Sequence, residues 1–221
     1  MRLQERHQPV HAPAPLVAAV QRLEHSSFLN AAADRVAPIV DTLLSSGRGR
    51  DVLQGRWMGH ALHPLMTDFP IGAWTCTSLL DLFGGGRSRP AAEGLLLFGL
   101  VTAVPTYASG WAEWTTTSGA ARRVGLVHAA SNVAGVGLYG SSFLARRRDR
   151  HLRGVALALA GGMVVTVGGY LGGHLAIVRR VGTSDPAFDR TPAAGQGPAG
   201  SPPGPVSQSA LDARVGAAPR P

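Results

Sequence analysis

The sequence predicts an all-α fold: an integral membrane, antiparallel four-helix bundle preceded by an amphipathic amino-terminal helix. Three observations carry this. Four apolar runs, residues 64–83, 94–111, 124–144 and 154–178, are each long enough to cross a hydrocarbon core of about 30 Å at about 1.5 Å per residue. Their connections are short, which makes chain neighbours antiparallel. Charged residues are only 15% of the chain while glycines number 29, too apolar and too Gly-rich for an ordinary soluble domain.

The 21 basic residues are all arginine and face 13 acidic ones, for a net charge of +8. They occur as short clusters between apolar runs, without aromatic interleaving, which suits membrane flanks better than nucleic acid. Cys76 is the single cysteine, so an internal disulfide and a Cys-pair metal site are excluded. It reads as a small buried apolar residue. The start, MRLQERHQPVHAPAP, does not read as a signal peptide, since no apolar core follows its basic residues.

Residues 1–58 form a polar and mixed segment. Within it Leu29, Ala32, Val36, Val40 and Leu43 recur at helical spacing, with Asp34, Arg35 and Asp41 off the stripe. Such a helix lies on the membrane or packs on the bundle, with a separate soluble hairpin as the alternative. Residues 59–180 hold the four runs, with Trp57, Trp111 and Trp114 near run ends, where indoles favour the interface. Residues 181–221 are rich in Pro, Gly, Ala and Ser and are expected to be disordered.

In the first run Pro64 suits the first helical turn, making His63 a helix-entry residue, and Pro70 interrupts backbone hydrogen bonding around Met66 to Asp68. The groups so freed need polar neighbours. The third run carries His128, Ser131, Asn132, Gly135, Tyr139 and Ser142 on one stripe, a polar face that must look inward. The fourth run spaces Ala158, Gly162, Thr166, Gly169 and Gly173 by four or three. Its Gly169–Gly173 pair is a small-xxx-small packing signature. GGYLGG is no phosphate loop, because it sits inside an apolar run rather than between a strand and a helix.

Alternating helices place the start of runs one and three and the end of runs two and four at one membrane face. Asp68, His128 and His174 then lie at similar depth, with His60, His63 and Glu113 beside them. Ionisable groups are tolerated there because they can satisfy one another. The opposite face holds Arg87, Arg89, Arg146, Arg147, Arg148, Arg150 and Arg153, and Asp81 near it faces the interface or pairs with Arg87. His7, His11, His25 and His151 fall in tails or loops and receive no role.

WMGHALHPLMTDFPIGAWTCTSLLD at 57–81, RRVGLVHAASN at 122–132 and GGYLGGHL at 168–175 resemble the bacterial membrane family called domain of unknown function 2231, over roughly residues 50–183. The resemblance implies a four-helix integral membrane domain in the bacterial cytoplasmic membrane. In some relatives that domain precedes a Rieske-type ferredoxin. A Rieske cluster needs two cysteines and two histidines, so this chain, with one cysteine, cannot hold an iron–sulfur cluster of that kind, and a Rieske-type ferredoxin or other redox partner is either a separate polypeptide or absent.

Three functions follow. In the first, His60, His63, Asp68, His128 and His174 supply ligands for a haem b or a non-haem metal and link the protein to electron transfer; imidazole with carboxylate suits iron, zinc or copper, and bundle cores hold cofactors. No CxxCH haem-attachment site is present. In the second, Asp68, Glu113 and the histidines pass protons or a small solute. In the third the module is not an enzyme but a structural anchor, with His128 and Asn132 as a polar clamp between helices. Its partner beyond the lipid bilayer is unassigned. Five arginines between runs three and four favour a cytoplasmic connection, but arginines at the other face and the long polar amino-terminal tail favour both tails in the cytoplasm.

Overall fold

The computed structural model describes residues 14–44 and 47–189. Its elements are all helical: α1 (Pro15–Glu24), α2 (Ser27–Leu43), α3 (Gly47–Leu53), α4 (Leu62–Phe83), α5 (Arg89–Trp114), α6 (Gly119–Arg146), α7 (His151–Gly173) and α8 (Pro186–Asp189). The carboxyl-terminal segment expected to be disordered lies outside the described residues from 190 onward. α8 belongs to a separate unit, Asp185–Pro221, where the Asp185 carboxylate accepts from Ala187 N at 2.7 Å.

Local sequence explains the helix boundaries. Ser26 caps α2 by accepting from Leu29 N, and Pro90 sits in the first turn of α5, where a missing N–H costs nothing. Between α3 and α4 the chain reverses through a short 3₁₀ turn, Arg56–Met58, bracketed by Gly55 and Gly59 at φ of +71° and +83°. Gly55 is required twice over. A Cβ there would stand 2.2 Å from the His60 carbonyl oxygen.

α4 packs on α5 and α6 on α7, with α5–α6 contacts between the pairs and a slighter α4–α7 contact. The central core stacks Trp74 on Tyr139, ring centres 4.1 Å apart, with Leu96, Ala103 and Ala158 around them. Glycines permit this. A Cβ on Gly99 would strike the Trp74 indole, one on Gly161 would crowd Tyr139, and one on Gly135 would strike Val165. Gly162 also meets the Tyr139 hydroxyl, but Gly169 and Gly173 have open space where a Cβ would stand. The close contacts are made one residue earlier, at Gly168 and Gly172.

The amino-terminal segment forms three helices and packs on the long ones: α1 and α2 on α6, α3 on α5. Val20 joins Val124, Leu171 and Leu175, while Ala33 and Val40 join Trp114. The α2 stripe is rotated from the expected one. Leu43 is 78% exposed, and Leu44 packs inward instead. Trp114 is likewise buried, donating to the Arg122 carbonyl at 3.0 Å under the Arg122 guanidinium, rather than lying at an outer rim.

The long helices expose large apolar side chains while hydroxyls are buried beside the aromatic core. Val101, Val104, Met163 and Val167 face outward, whereas Thr77, Thr106, Ser109 and Ser142 are buried. Of the four, α5 with its preceding turn (Gly86–Trp114) and α7 with its continuation (His151–Val178) are long and apolar enough to cross a membrane. The polar residues placed on α4 and α6, Asp68 and Asp81 on one and Arg122, Arg123, His128 and Asn132 on the other, lower their mean hydropathy.

Two single-residue expectations are corrected. Asp81 does not pair with Arg87 or face the interface: its carboxylate receives both terminal nitrogens of Arg146, one at 2.7 Å, with the two side chains 1% and 2% exposed. The cause is helix pairing, since α4 and α6 end on the same side and turn these residues inward. Cys76 is exposed rather than buried, because α4 turns its Trp74 and Thr77 toward the core.

Candidate functional site

Pro70 begins the site. Its ring lacks the N–H that would meet the Met66 carbonyl, and the Thr106 hydroxyl of α5 lies 3.0 Å from that oxygen, with the Thr102 carbonyl at 2.8 Å as its second acceptor. The Thr106 carbonyl in turn accepts from His63 Nδ1 at 2.9 Å and from Ser109 Oγ at 2.7 Å. One threonine therefore ties the first turns of α4, ahead of Pro70, to the carboxyl-terminal half of α5 and holds the His63 ring.

His128 is held in the same way from the other pair of helices. Its Nδ1 donates to the Gly168 carbonyl at 2.7 Å, and Asn132, one turn on, brings Nδ2 to within 3.1 Å of His128 Nε2. The Asn132 backbone carbonyl accepts from Tyr107 Oη at 2.7 Å, so α5, α6 and α7 meet at this point. A carbonyl can only accept, so each Nδ1 carries a proton, and in the neutral ring each Nε2 keeps its lone pair.

The two rings face one another, centroids 6.1 Å apart and planes at 89°. Glycines make room for both. A Cβ on Gly110 would stand 2.8 Å from the His63 ring, and one on Gly172 would stand 2.9 Å from the His128 ring. Both imidazoles line a cavity of about 360 Å³ whose walls include Trp74, Tyr107, Trp111, Trp114, Asn132 and Val165. His63 Nε2 has no hydrogen-bond partner among the described residues. No buried side-chain nitrogen or oxygen among them is left unpaired, so this nitrogen opens on the cavity.

The remaining expected residues are placed apart from this pair. His60 is exposed, its Nδ1 turned to the Ala61 carbonyl, and Asp68 is exposed on the outer side of α4. Glu113 borders the cavity, and its carboxylate accepts from Thr183 N at 3.0 Å and Thr183 Oγ1 at 2.8 Å, fastening the segment after α7 across the end of α5. His174 Nε2 lies 2.7 Å from Glu24 of α1. The helix opens into a π turn over His174–Val178, which carries Arg179 to the same carboxylate. The Arg179 hydrogen bond, outweighing desolvation and helped by His174, holds the Glu24 carboxyl below its ordinary 4.5. Among the described residues no three His, Cys, Asp or Glu side chains gather as a metal cage.

The family described as "Predicted membrane protein (DUF2231)" matches residues 59–185. The chain belongs to this family. Searches of curated proteins and of solved structures found no match. Every residue lining the His63–His128 cavity falls inside the family's segment, whereas Glu24, and α1 to α3 with it, fall outside. The DUF2231 segment thus contains the whole cavity lining, and the preceding helices pack onto it.

Sequence reasoning missed Thr106 as the partner of both His63 and the Pro70 kink, although Pro70 signalled that a partner was needed. It also missed Gly110, Gly168 and Gly172 as the surfaces against which the site side chains lie. Glu24, Arg179 and Arg146 carried no local signal, since their partners are 65 to 155 residues away.

Proposed function

We propose that this protein is an integral membrane four-helix bundle whose paired imidazoles, His63 and His128, hold a redox metal, either haem iron or a non-haem ion. The observation that carries this is the pairing itself: two rings from different helices, each with Nδ1 bound to a backbone carbonyl, with His63 Nε2 free of a partner among the described residues and His128 Nε2 met only by the Asn132 amide. Metal-ligating histidines have that outer-shell arrangement, which fixes tautomer and orientation. Metal–nitrogen bonds of about 2 Å, with a ring nitrogen roughly 1 Å from its centroid, put two imidazoles on opposite sides of one ion about 6 Å apart, compatible with the separation found here. The metal would supply one-electron chemistry; the chain would supply ligands and an apolar, aromatic surround.

Membrane embedding is supported by the apolar outer surface of the long helices. Exposed Val, Met, Leu and Phe side chains, with buried hydroxyls, a buried ion pair and half-buried imidazoles inside, suit lipid as the surrounding medium. Both tails are assigned to the cytoplasmic side, which brings the cavity end toward that compartment.

A second reading is favoured by one contact: Asn132 already occupies His128 Nε2. On it the polar groups are helix-packing bonds in an anchor module. Absorption spectra of detergent-purified protein, oxidised and reduced, with elemental analysis of the same sample, decide between the two. The metal reading expects a Soret band or near-stoichiometric iron or copper that disappears in His63→Ala and His128→Ala. Folded protein that is colourless and metal-free overturns it.

A further inference from the structure

The cavity does not end at the imidazoles. A groove of about 720 Å³ runs along the seam between α4 and α7, and it shares Ile71, Trp74, Val165 and Gly169 with the cavity wall. The seam is open for reasons legible in the residues. α4 and α7 make the slightest contact of the four adjoining pairs, and Gly169 has no neighbour within 4 Å of where its Cβ would be. The groove's edges, Ile71, Met163 and Tyr170, are exposed on the apolar outer surface. The part-open aromatic chamber therefore continues sideways into a groove on the apolar outer surface.

The two parts differ in chemistry. The chamber has indole and phenol walls, which suit a planar ring, with Asn132 and the two imidazoles as polar groups beside them and Thr106, Glu113 and Thr117 elsewhere on the lining. The groove is lined by aliphatic and small residues together with Trp74, Tyr139 and Tyr170, with the hydroxyls of Thr75, Ser78 and Thr166 also on its walls. Two of these already donate to their own helix: Ser78 to Trp74 O and Thr166 to Gly162 O. It offers an elongated apolar chain contact area without demanding a hydrogen bond. We infer that cavity and groove together bind one amphipathic lipid with an oxygen-bearing planar ring and a hydrocarbon tail, an isoprenoid quinone in chemical class. Its ring lies between Trp74 and Asn132, and its tail lies along the α4–α7 seam. The inference goes beyond the metal reading and does not require it, because the ring needs the chamber and not an ion.

Gly169 stands where cavity and groove meet, and its open Cβ position makes it a site for a plug that leaves helix packing alone. The test titrates detergent-purified full chain with a decyl-tailed benzoquinone and follows quenching of tryptophan fluorescence, since Trp74, Trp111 and Trp114 line the chamber. Saturable quenching is expected, weakened about tenfold or more in Gly169→Leu and in Thr75→Leu, which plugs the groove from α4, and unchanged in Gly137→Leu, another open glycine remote from both. Tail-less benzoquinone should bind more weakly, and an excess of phospholipid should not displace the tailed form. Non-saturable quenching, or equal displacement by phospholipid, would identify the groove as ordinary lipid contact and overturn the inference; so would undiminished binding in both plugged variants. Metal analysis of the same samples separates this outcome from the fate of the metal site.

Discussion

Arg146 and Asp81 form a two-pronged ion pair between the ends of α6 and α4, buried so deeply that neither side chain is more than 2% exposed. Ser142 supports it, accepting from Arg146 Nε at 3.2 Å and donating to the Gly154 carbonyl of α7 at 2.6 Å. Removing one partner strands the other charge. Asp81→Asn or Arg146→Met should therefore destabilise by about 3–5 kcal/mol, whereas replacing both with apolar residues of similar size should recover most of the loss. Thermal unfolding of the single and double variants in detergent checks this; equal losses in the double variant would contradict it.

The clamp on Glu24 makes one contribution to stability depend on acid. Its carboxyl titrates below the ordinary 4.5 when folded, so the contribution is complete above the unfolded carboxyl's pKa and disappears as pH falls through the lower, folded value. Wild-type protein should lose more melting temperature between about pH 6 and pH 3 than Glu24→Gln does. Parallel curves for the two proteins would refute the linkage.

Thr106→Val keeps the side chain's shape and removes the hydroxyl that meets the Met66 carbonyl beneath Pro70. The half-buried Met66 carbonyl then lacks that donor, at a cost of about 1 kcal/mol. The double variant with Pro70→Ala restores the helical N–H and should recover much of that cost, a coupling that a double-mutant cycle reads directly.

Neighbouring glycines should behave oppositely. Gly172→Ala places a methyl 2.9 Å from the His128 ring, while Gly173→Ala places one in open space. The first should displace His128 and weaken whatever the imidazole pair binds; the second should leave both binding and stability within about 0.5 kcal/mol of wild type. Equal effects at the two positions would mean that the close approach to His128 has no consequence.

How far the sequence reached is clearest at single residues. The spacing of Pro64, Pro70 and the apolar run placed α4 and foretold that backbone groups near Met66 would need polar partners; that the partner is Thr106 depends on how α5 is rotated, which helical periodicity in α4 does not contain. His128 and Asn132 could be put on one face because they are one turn apart. The polar stripe of α6 said that this face looks inward, but not that His63, rather than Asp68 or His174, would meet it.

What the sequence determined by itself is the helical class, the rough extent of the four long helices and the inward polar face of α6. These follow from hydropathy and from the 3.6-residue repeat, which are properties of one segment at a time. The tertiary structure alone decided the pairs His63 with His128, Asp81 with Arg146, and Glu24 with His174 and Arg179. Equal depth along helix axes leaves the rotation of each helix about its own axis free, and that rotation is set by where glycines let neighbouring helices and bulky rings approach.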